Sequence, residues 1–167
     1  IDVSQRAIQT AKNRGIIAAV GDITNVFPFK DGFFDYVFAG EVIEHLFDVH
    51  HFLSETKRVL RPDGKLLLTT PNLANLSDRI RLLIGENPRQ VTPIHKFLHL
   101  HIRPFTFKSL RRTLDLYHFK IIQFTSTLVI FKRQGDDIVL KSSMLLAELF
   151  PSLGETLIVK AIKLKNL

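Results

Sequence analysis

Three short apolar runs, Ile16 to Val20, Phe34 to Ala39 and Lys65 to Thr70, are separated by segments of helical spacing, and this alternation constrains the fold most. Strands that return through a helix run parallel, because a helical crossover brings the chain back to the same end of the sheet. Ser4 is placed to cap a helix to Arg14, with Ala7, Ile8 and Ala11 on one face and Gly15 at the stop. Ile16 to Val20 then reads as a buried strand leaving at Gly21-Asp22. Pro28, Asp31 and Gly32 mark a loop before the Phe34 strand. A helix is expected from Glu41 past His51 to Leu60, with Leu46, Val49, Leu53 and Val59 or Leu60 inward. Arg61-Pro62-Asp63-Gly64 is the turn into the third strand, which Pro71 stops. The fold class predicted is α/β, a parallel sheet with helices on both faces.

The second half changes style. Leu73 to Ile84 is expected to be helical, with Leu76, Ile80 and Leu83 on one side, and a polar loop follows to Pro104. Thr106 is placed to cap a helix through Tyr117, and Phe119 to Thr125 returns as a strand. Ile138 to Phe150 reads as an amphipathic helix ended by Pro151, and Thr156 to Ile162 as a last β-branched strand. No repeat or interdomain linker interrupts the chain.

With 167 residues, 46% of them apolar, the chain can form one domain around a real core. It has no cysteine, which excludes disulfides, thiolate metal sites and a cysteine nucleophile. That composition suits a reducing compartment, and a cytoplasmic location is expected. No apolar run approaches the roughly 18–20 residues of a membrane span. The net charge is +7, and between Arg79 and Arg133 the only acids are Glu86 and Asp115. Such a stretch is either a solvated face or an attractor of phosphate, nucleic acid or anionic lipid.

In open α/β sheets, ligands bind beyond the carboxyl ends of the strands. Asp2, Asp22 and Glu41 all stand at or just past such ends, where an acid accepts from hydroxyl or amino groups. Each alone also reads as an ordinary turn acid. Taken in order, Ile1-Asp2-Val3-Ser4, Gly21-Asp22-Ile23, Phe29 to Asp35, Val42-Ile43-Glu44-His45-Leu46 and Leu60 to Leu66 resemble a class I S-adenosylmethionine-dependent methyltransferase. Arg103-Pro104-Phe105-Thr106 resembles the family's late segment, so the likeness runs through about the whole chain.

The resemblance implies a Rossmann-like methyltransferase sheet, mostly parallel with an antiparallel last strand. It implies S-adenosylmethionine as cofactor. Asp2 would accept from its ribose with Val3 beside the adenine, and Asp22 would accept from the adenine amino group with Ile23 bordering it. Gly40 and Glu41 would face the methionine portion. His45 would be the catalytic base, with Asn72, His99 and His101 toward the methyl acceptor.

Three departures accompany the likeness. No G-x-G occurs anywhere, so the family's glycine-rich loop and first strand are absent and the sheet is expected to be incomplete at its N-terminus. Upstream sequence is expected to supply them. Without them, Ile16 to Val20 is expected to be cut off from Phe34 to Ala39, and the chain to associate or to repack these two strands together. His118 stands where relatives commonly carry a glycine that ends the helix. Residues 132–154 read as a helical insertion in a single partial domain spanning 1–167.

Glu41, Glu44 and His45 leave two readings open. In one, Glu44 favours the positive end of a helix and His45 borders the acceptor. In the other, the three share a helical face and hold a divalent cation, as in the similar Glu-x-x-Glu-His motif of small-RNA and ubiquinone-pathway O-methyltransferases, with His95, His99 or His101 as a further ligand. The reading adopted assigns no metal. The function expected of the parent protein is methyl transfer to a small-molecule or biopolymer acceptor, while residues 1–167 alone are expected to bind the cofactor poorly and to lack transfer. The alternative is a non-catalytic module that holds nucleic acid or another anion on its basic stretch.

Overall fold

A computed structural model of the protein describes residues 1–92, 101–127, 130–133, 136–139 and 143–164. Helix α1 (Gln5–Asn13) starts where Ser4 Oγ accepts from the Ala7 amide at 3.2 Å. Strand β1 (Phe34–Gly40) leads through a 3-10 turn (Ile43–His45) to α2 (Val49–Val59) and β2 (Leu60–Pro71). Helix α3 (Leu76–Leu83), a 3-10 turn (Arg89–Val91), α4 (Phe107–Leu116) and β3 (Phe119–Ser126) follow. A hairpin of β4 (Ile130–Arg133) and β5 (Asp136–Val139), helix α5 (Ser143–Leu149) and β6 (Thr156–Lys163) complete the described elements.

The main sheet has the order β1-β2-β6-β3. Strand β1 is parallel to β2, while β6 inserts antiparallel between β2 and β3. This is the mostly parallel sheet with an antiparallel last strand that the sequence implies. Residues alternate between faces with a period of two, so Leu66, Leu68 and Thr70 share one face with Ala161, Val159 and Leu157 opposite them. That face is sealed by Phe52, Leu53 and Val59 of α2 and by Leu110 and Leu114 of α4. Each such side chain contributes about 1.5–3 kcal/mol by leaving water. The other face is open at β1 and β2, where Tyr36, Phe38 and Leu67 are exposed.

The expected elements are corrected in four places. The helix predicted from Glu41 to Leu60 is broken: Leu46 is extended, and Asp48 starts a new helix by accepting from the His51 amide at 2.9 Å. Ile16 to Val20 is not a buried strand; only Val20 pairs, in a parallel bridge with Asp2, and Ile17 is fully exposed. A buried strand needs cover on both faces, and the described sheet stops at β1. The segment is cut off from β1 as expected, and it has not repacked against it. Third, Ile138 and Val139 lie in β5 rather than in a helix, in keeping with the strand preference of β-branched residues. Fourth, Leu76, Ile80 and Leu83 do not form the buried side of α3, whose buried residues are Ser77 and Asp78.

Two expected irregularities are present. The turn Arg61 to Gly64 is a bulge inside β2, with Asp63 at φ 61° and the pairing with β1 jumping from Phe34↔Leu60 to Tyr36↔Lys65. His118 ends α4 at φ 57°, so it takes the left-handed geometry that glycine would adopt without strain.

Arg58 fixes the chain that enters β1. Its guanidinium donates to Glu55, to Asp31 and to the carbonyls of Phe27 and Phe29, at 2.7–3.0 Å. Among the described residues no helix is long and apolar enough to cross a membrane.

Candidate functional site

The expected cofactor acids lie together in the N-terminal segment. Asp2 and Val20 form their parallel bridge, and the Gly21 amide donates to the Asp2 carbonyl at 3.0 Å, which sets Asp22 just past Asp2. Each acid first serves its own turn. Asp2 Oδ1 accepts from the Ser4 amide at 2.7 Å, and Asp22 Oδ1 accepts from the Thr24 amide and hydroxyl at 2.8 and 2.7 Å. Those bonds, the amide first, hold the Asp22 carboxyl below its ordinary range. The second oxygen of each is not engaged by any described residue, so both acids keep an acceptor facing water. Val3 is exposed beside them, and Ile23 is half-buried against the core. Exposed, charged and with one oxygen spare, the pair fits the hydroxyl and amino groups of a nucleoside.

A second cluster forms past the end of β1. Gly40 closes the strand, and a side chain there would meet the Phe38 ring at 2.7 Å. Glu41 turns left-handed at φ 53°, an uncommon state for a residue with a Cβ. Thr69 holds it: the Glu41 amide donates to the Thr69 carbonyl at 3.1 Å, and the Thr69 hydroxyl donates to Glu41 Oε1 at 2.9 Å. The 3-10 turn then seats Ile43 in the core and carries Glu44 inward with it.

Glu44 is only 1% exposed, and Thr70 Oγ1 donates to its Oε2 at 2.9 Å. Its Oε1 is buried without a hydrogen bond from any described residue, 3.7 Å from His45 Nε2. Burial is the main cause that raises the Glu44 carboxyl above its ordinary value, because the charged form loses water there. His45 is partly exposed, and His101 meets it edge-on with ring centroids 4.7 Å apart. Burial first, and then the neighbouring His45, lower the His101 imidazole below its ordinary value and keep it neutral. His101 Nδ1 lies 2.7 Å from Gln90 Oε1. The chain carrying His101 is fixed by the Arg103 amide donating to the Glu44 carbonyl at 3.0 Å and by a parallel bridge between Phe105 and Asn72.

The structure thus joins His45 and His101 and adds Glu44, but it separates Glu41 from them. The cation face that the alternative reading drew from Glu41, Glu44 and His45 required a continuous helix, and the left-handed Glu41 lies outside one. Ligand atoms of Glu44, His45 and His101 lie within 4.8 Å of one another, a carboxylate and two imidazoles that can take a proton or a cation. Asn72 is engaged elsewhere: it is buried, its Nδ2 donates to the Ser152 and Gly154 carbonyls at 2.9 and 2.8 Å, and its Oδ1 accepts from the Ala74 amide. His95 and His99 lie outside the described residues. Gln90 and Thr70 carried no signal in the sequence, since an isolated glutamine or threonine has no spacing to read.

Much of the basic stretch is committed internally. Arg81 pairs with Glu86, Arg89 with Asp78 and Glu155, and Arg111 with Asp115, while Arg79 donates to the Ala74 and Ser152 carbonyls.

Comparison with known proteins agrees with this fold. Residues 1–68 match a family described as a methyltransferase domain. Over 108 residues the chain is 34% identical to a Mycolicibacterium smegmatis protein named "probable S-adenosylmethionine-dependent methyltransferase", covering 65% of this chain and 36% of that protein. Over 60 residues it is 38% identical to the mitochondrial ubiquinone biosynthesis O-methyltransferase of Bos taurus, covering 36% of this chain and 16% of that protein. The chain therefore spans about a third or less of these relatives. In fold it is similar to an S-adenosylmethionine-dependent methyltransferase of Thermotoga maritima, with a TM-score of 0.65 at 20% identity over 96% of this chain and 70% of that one. A Methanosarcina mazei methyltransferase gives a TM-score of 0.61 at 19% identity over 99% of this chain and 81% of that one.

Proposed function

We propose, from the premise that this chain belongs to the class I S-adenosylmethionine-dependent methyltransferase family, that its protein transfers a methyl group to an acceptor whose proton His45 removes. The observation that carries this reading is the packing of His45 against the buried Glu44 and the neutral His101, past the end of β1. S-adenosylmethionine supplies an electrophilic methyl group when bound. Asp2 and Asp22 would accept from its ribose and adenine through their spare oxygens, Val3 and Ile23 would border the base, and Gly40 and Glu41 would hold its methionine end. His45, whose side chain is partly exposed, takes the acceptor's proton on an imidazole nitrogen. Glu44 Oε1 lies 3.7 Å from His45 Nε2, beside the ring that receives the proton. The acceptor is a small molecule or a biopolymer with an ionisable oxygen or nitrogen, and the protein works in the cytoplasm.

A second reading is favoured by one observation, the buried Glu44 Oε1 that no donor among the described residues satisfies. A divalent cation between Glu44, His45 and His101 would satisfy it, and a mixed nitrogen and oxygen set suits a transition ion better than Mg²⁺.

The test is calorimetric titration with S-adenosylmethionine, followed by methyl transfer to candidate acceptors with and without chelator. Asp2→Ala and Asp22→Ala should each weaken cofactor binding roughly ten- to hundredfold, the worth of one hydrogen bond to a charged acceptor. Wild-type affinity in both variants refutes the cofactor roles. Transfer that survives chelation but is lost in His45→Ala supports the base, while transfer restored only by an added cation supports the second reading.

A further inference from the structure

We infer that Gln90 is a positioning residue that holds His101 in its Nδ1–H tautomer, leaving the lone pair on Nε2 of a ring packed against His45. The inference rests on reading that cluster as the acceptor end of the site.

An amide oxygen only accepts, so the 2.7 Å contact between Gln90 Oε1 and His101 Nδ1 requires the proton on Nδ1. A neutral imidazole carries one N–H, and the contact with Gln90 places it on Nδ1. Nε2 is then an acceptor. In the other tautomer Nε2 carries the proton, and a protonated ring nitrogen serves as neither base nor ligand.

Gln90 is held as firmly as its task needs. The neighbouring Arg89 amide donates to Asp78 Oδ1 at 2.9 Å, and the Arg89 guanidinium is ion-paired with Glu155. Asp78 is fully buried, and Asn75 donates to its other oxygen at 2.7 Å. The first turn of α3 and the chain entering β6 thus fix the 3-10 turn that carries Gln90. His101 is tied separately, through Arg103 to Glu44 and through Phe105 to Asn72. One hydrogen bond between two independently anchored segments sets the ring's protonation pattern.

The experiment is long-range proton–nitrogen correlation NMR on the protein labelled with ¹⁵N-histidine, with His101 assigned by its loss in His101→Gln. Wild type should show His101 predominantly as the Nδ1–H tautomer. Gln90→Leu should shift it toward the Nε2–H form that free histidine prefers, and Gln90→Glu, whose carboxylate also accepts, should restore Nδ1–H. A wild-type His101 that is mainly Nε2–H, or a tautomer unchanged in Gln90→Leu, overturns the inference. If Gln90→Leu does not fold, the wild-type and Gln90→Glu spectra decide alone. None of these readouts uses methyl transfer, so failure here and failure of the proposed activity are separate results.

Discussion

The hydroxyl of Thr70 donates to Glu44 Oε2 across 2.9 Å, and that bond decides which way the Glu-x-x-Glu-His motif faces. The adjacent Thr69 donates to Glu41 instead. Neighbouring strand residues point to opposite faces, so two consecutive threonines of β2 hold the two glutamates apart. Glu44 belongs with the buried layer beneath the site, and Glu41 with the strand end.

Glu44→Gln should stabilise the protein at neutral pH relative to acid. The folded carboxyl is raised above its ordinary 4.5, so the folded state binds this proton more tightly than the unfolded chain does. Stability from this group is therefore full below 4.5 and declines as pH rises through the folded value. Glutamine does not titrate, so the variant's advantage in urea unfolding should grow between about pH 4 and pH 7.5. A constant difference across that window would mean that burial does not tax the charged form.

Glu55 has the opposite sign. Its carboxyl is lowered from 4.5 to about 2, first by the Arg58 hydrogen bonds. Such a group stabilises the fold above 4.5 and loses that contribution as pH falls toward 2. Glu55→Gln should cost about 1.5–3 kcal/mol at neutral pH, the range for hydrogen bonds to a charged group. The gap to wild type should close on acidification. Denaturant midpoints at several pH values measure both, and a gap that widens in acid would contradict the assignment.

Much of this architecture was legible because it rests on local chemistry. Ser4 and Thr106 announce their helices as caps, and Thr106 completes a capping box with Ser109. The alternation of the apolar runs Phe34 to Ala39 and Lys65 to Thr70 with a helical segment pointed to the parallel pair. What failed to show was the break between His45 and Val49. The spacing of Glu41, Glu44 and His45 imitates one helical face, yet Asp48 was a readable cap for a later start. The exposure of Ile16 and Ile17 was hidden for another reason: apolar content shows that a strand wants cover, not whether cover is present. Gln90 reaches His101 from eleven residues away through the anchored turn, a contact no local pattern encodes.

Asn72→Asp should act on stability rather than on acceptor affinity. The substitution deletes two donations, to Ser152 and Gly154, and turns a carboxylate oxygen toward those two carbonyls in a buried place. A buried group left unsatisfied costs about 1–3 kcal/mol, so a lowered urea midpoint is expected. An Asn72→Asp protein as stable as wild type, with a changed acceptor KM, would return Asn72 to the substrate side.

The last prediction concerns the outer edge of β1. That strand ends the main sheet, so its backbone donors and acceptors on one side are unpaired among the described residues. Phe33, Tyr36 and Phe38 flank the edge and are each about 60–70% exposed, a combination that favours pairing with another chain. Lys65 Nζ lies 5.2 Å from the Tyr36 ring and partly covers that residue, which leaves Phe38 as the more open apolar site. The chain should therefore self-associate with rising concentration in sedimentation experiments. Phe38→Lys should weaken that association without loss of fold, because Phe38 points away from the sealed face that carries Ala39, Leu66 and Leu68. A wild-type chain that stays monomeric at high concentration, or association unmoved by Phe38→Lys, would place the cohesive surface elsewhere.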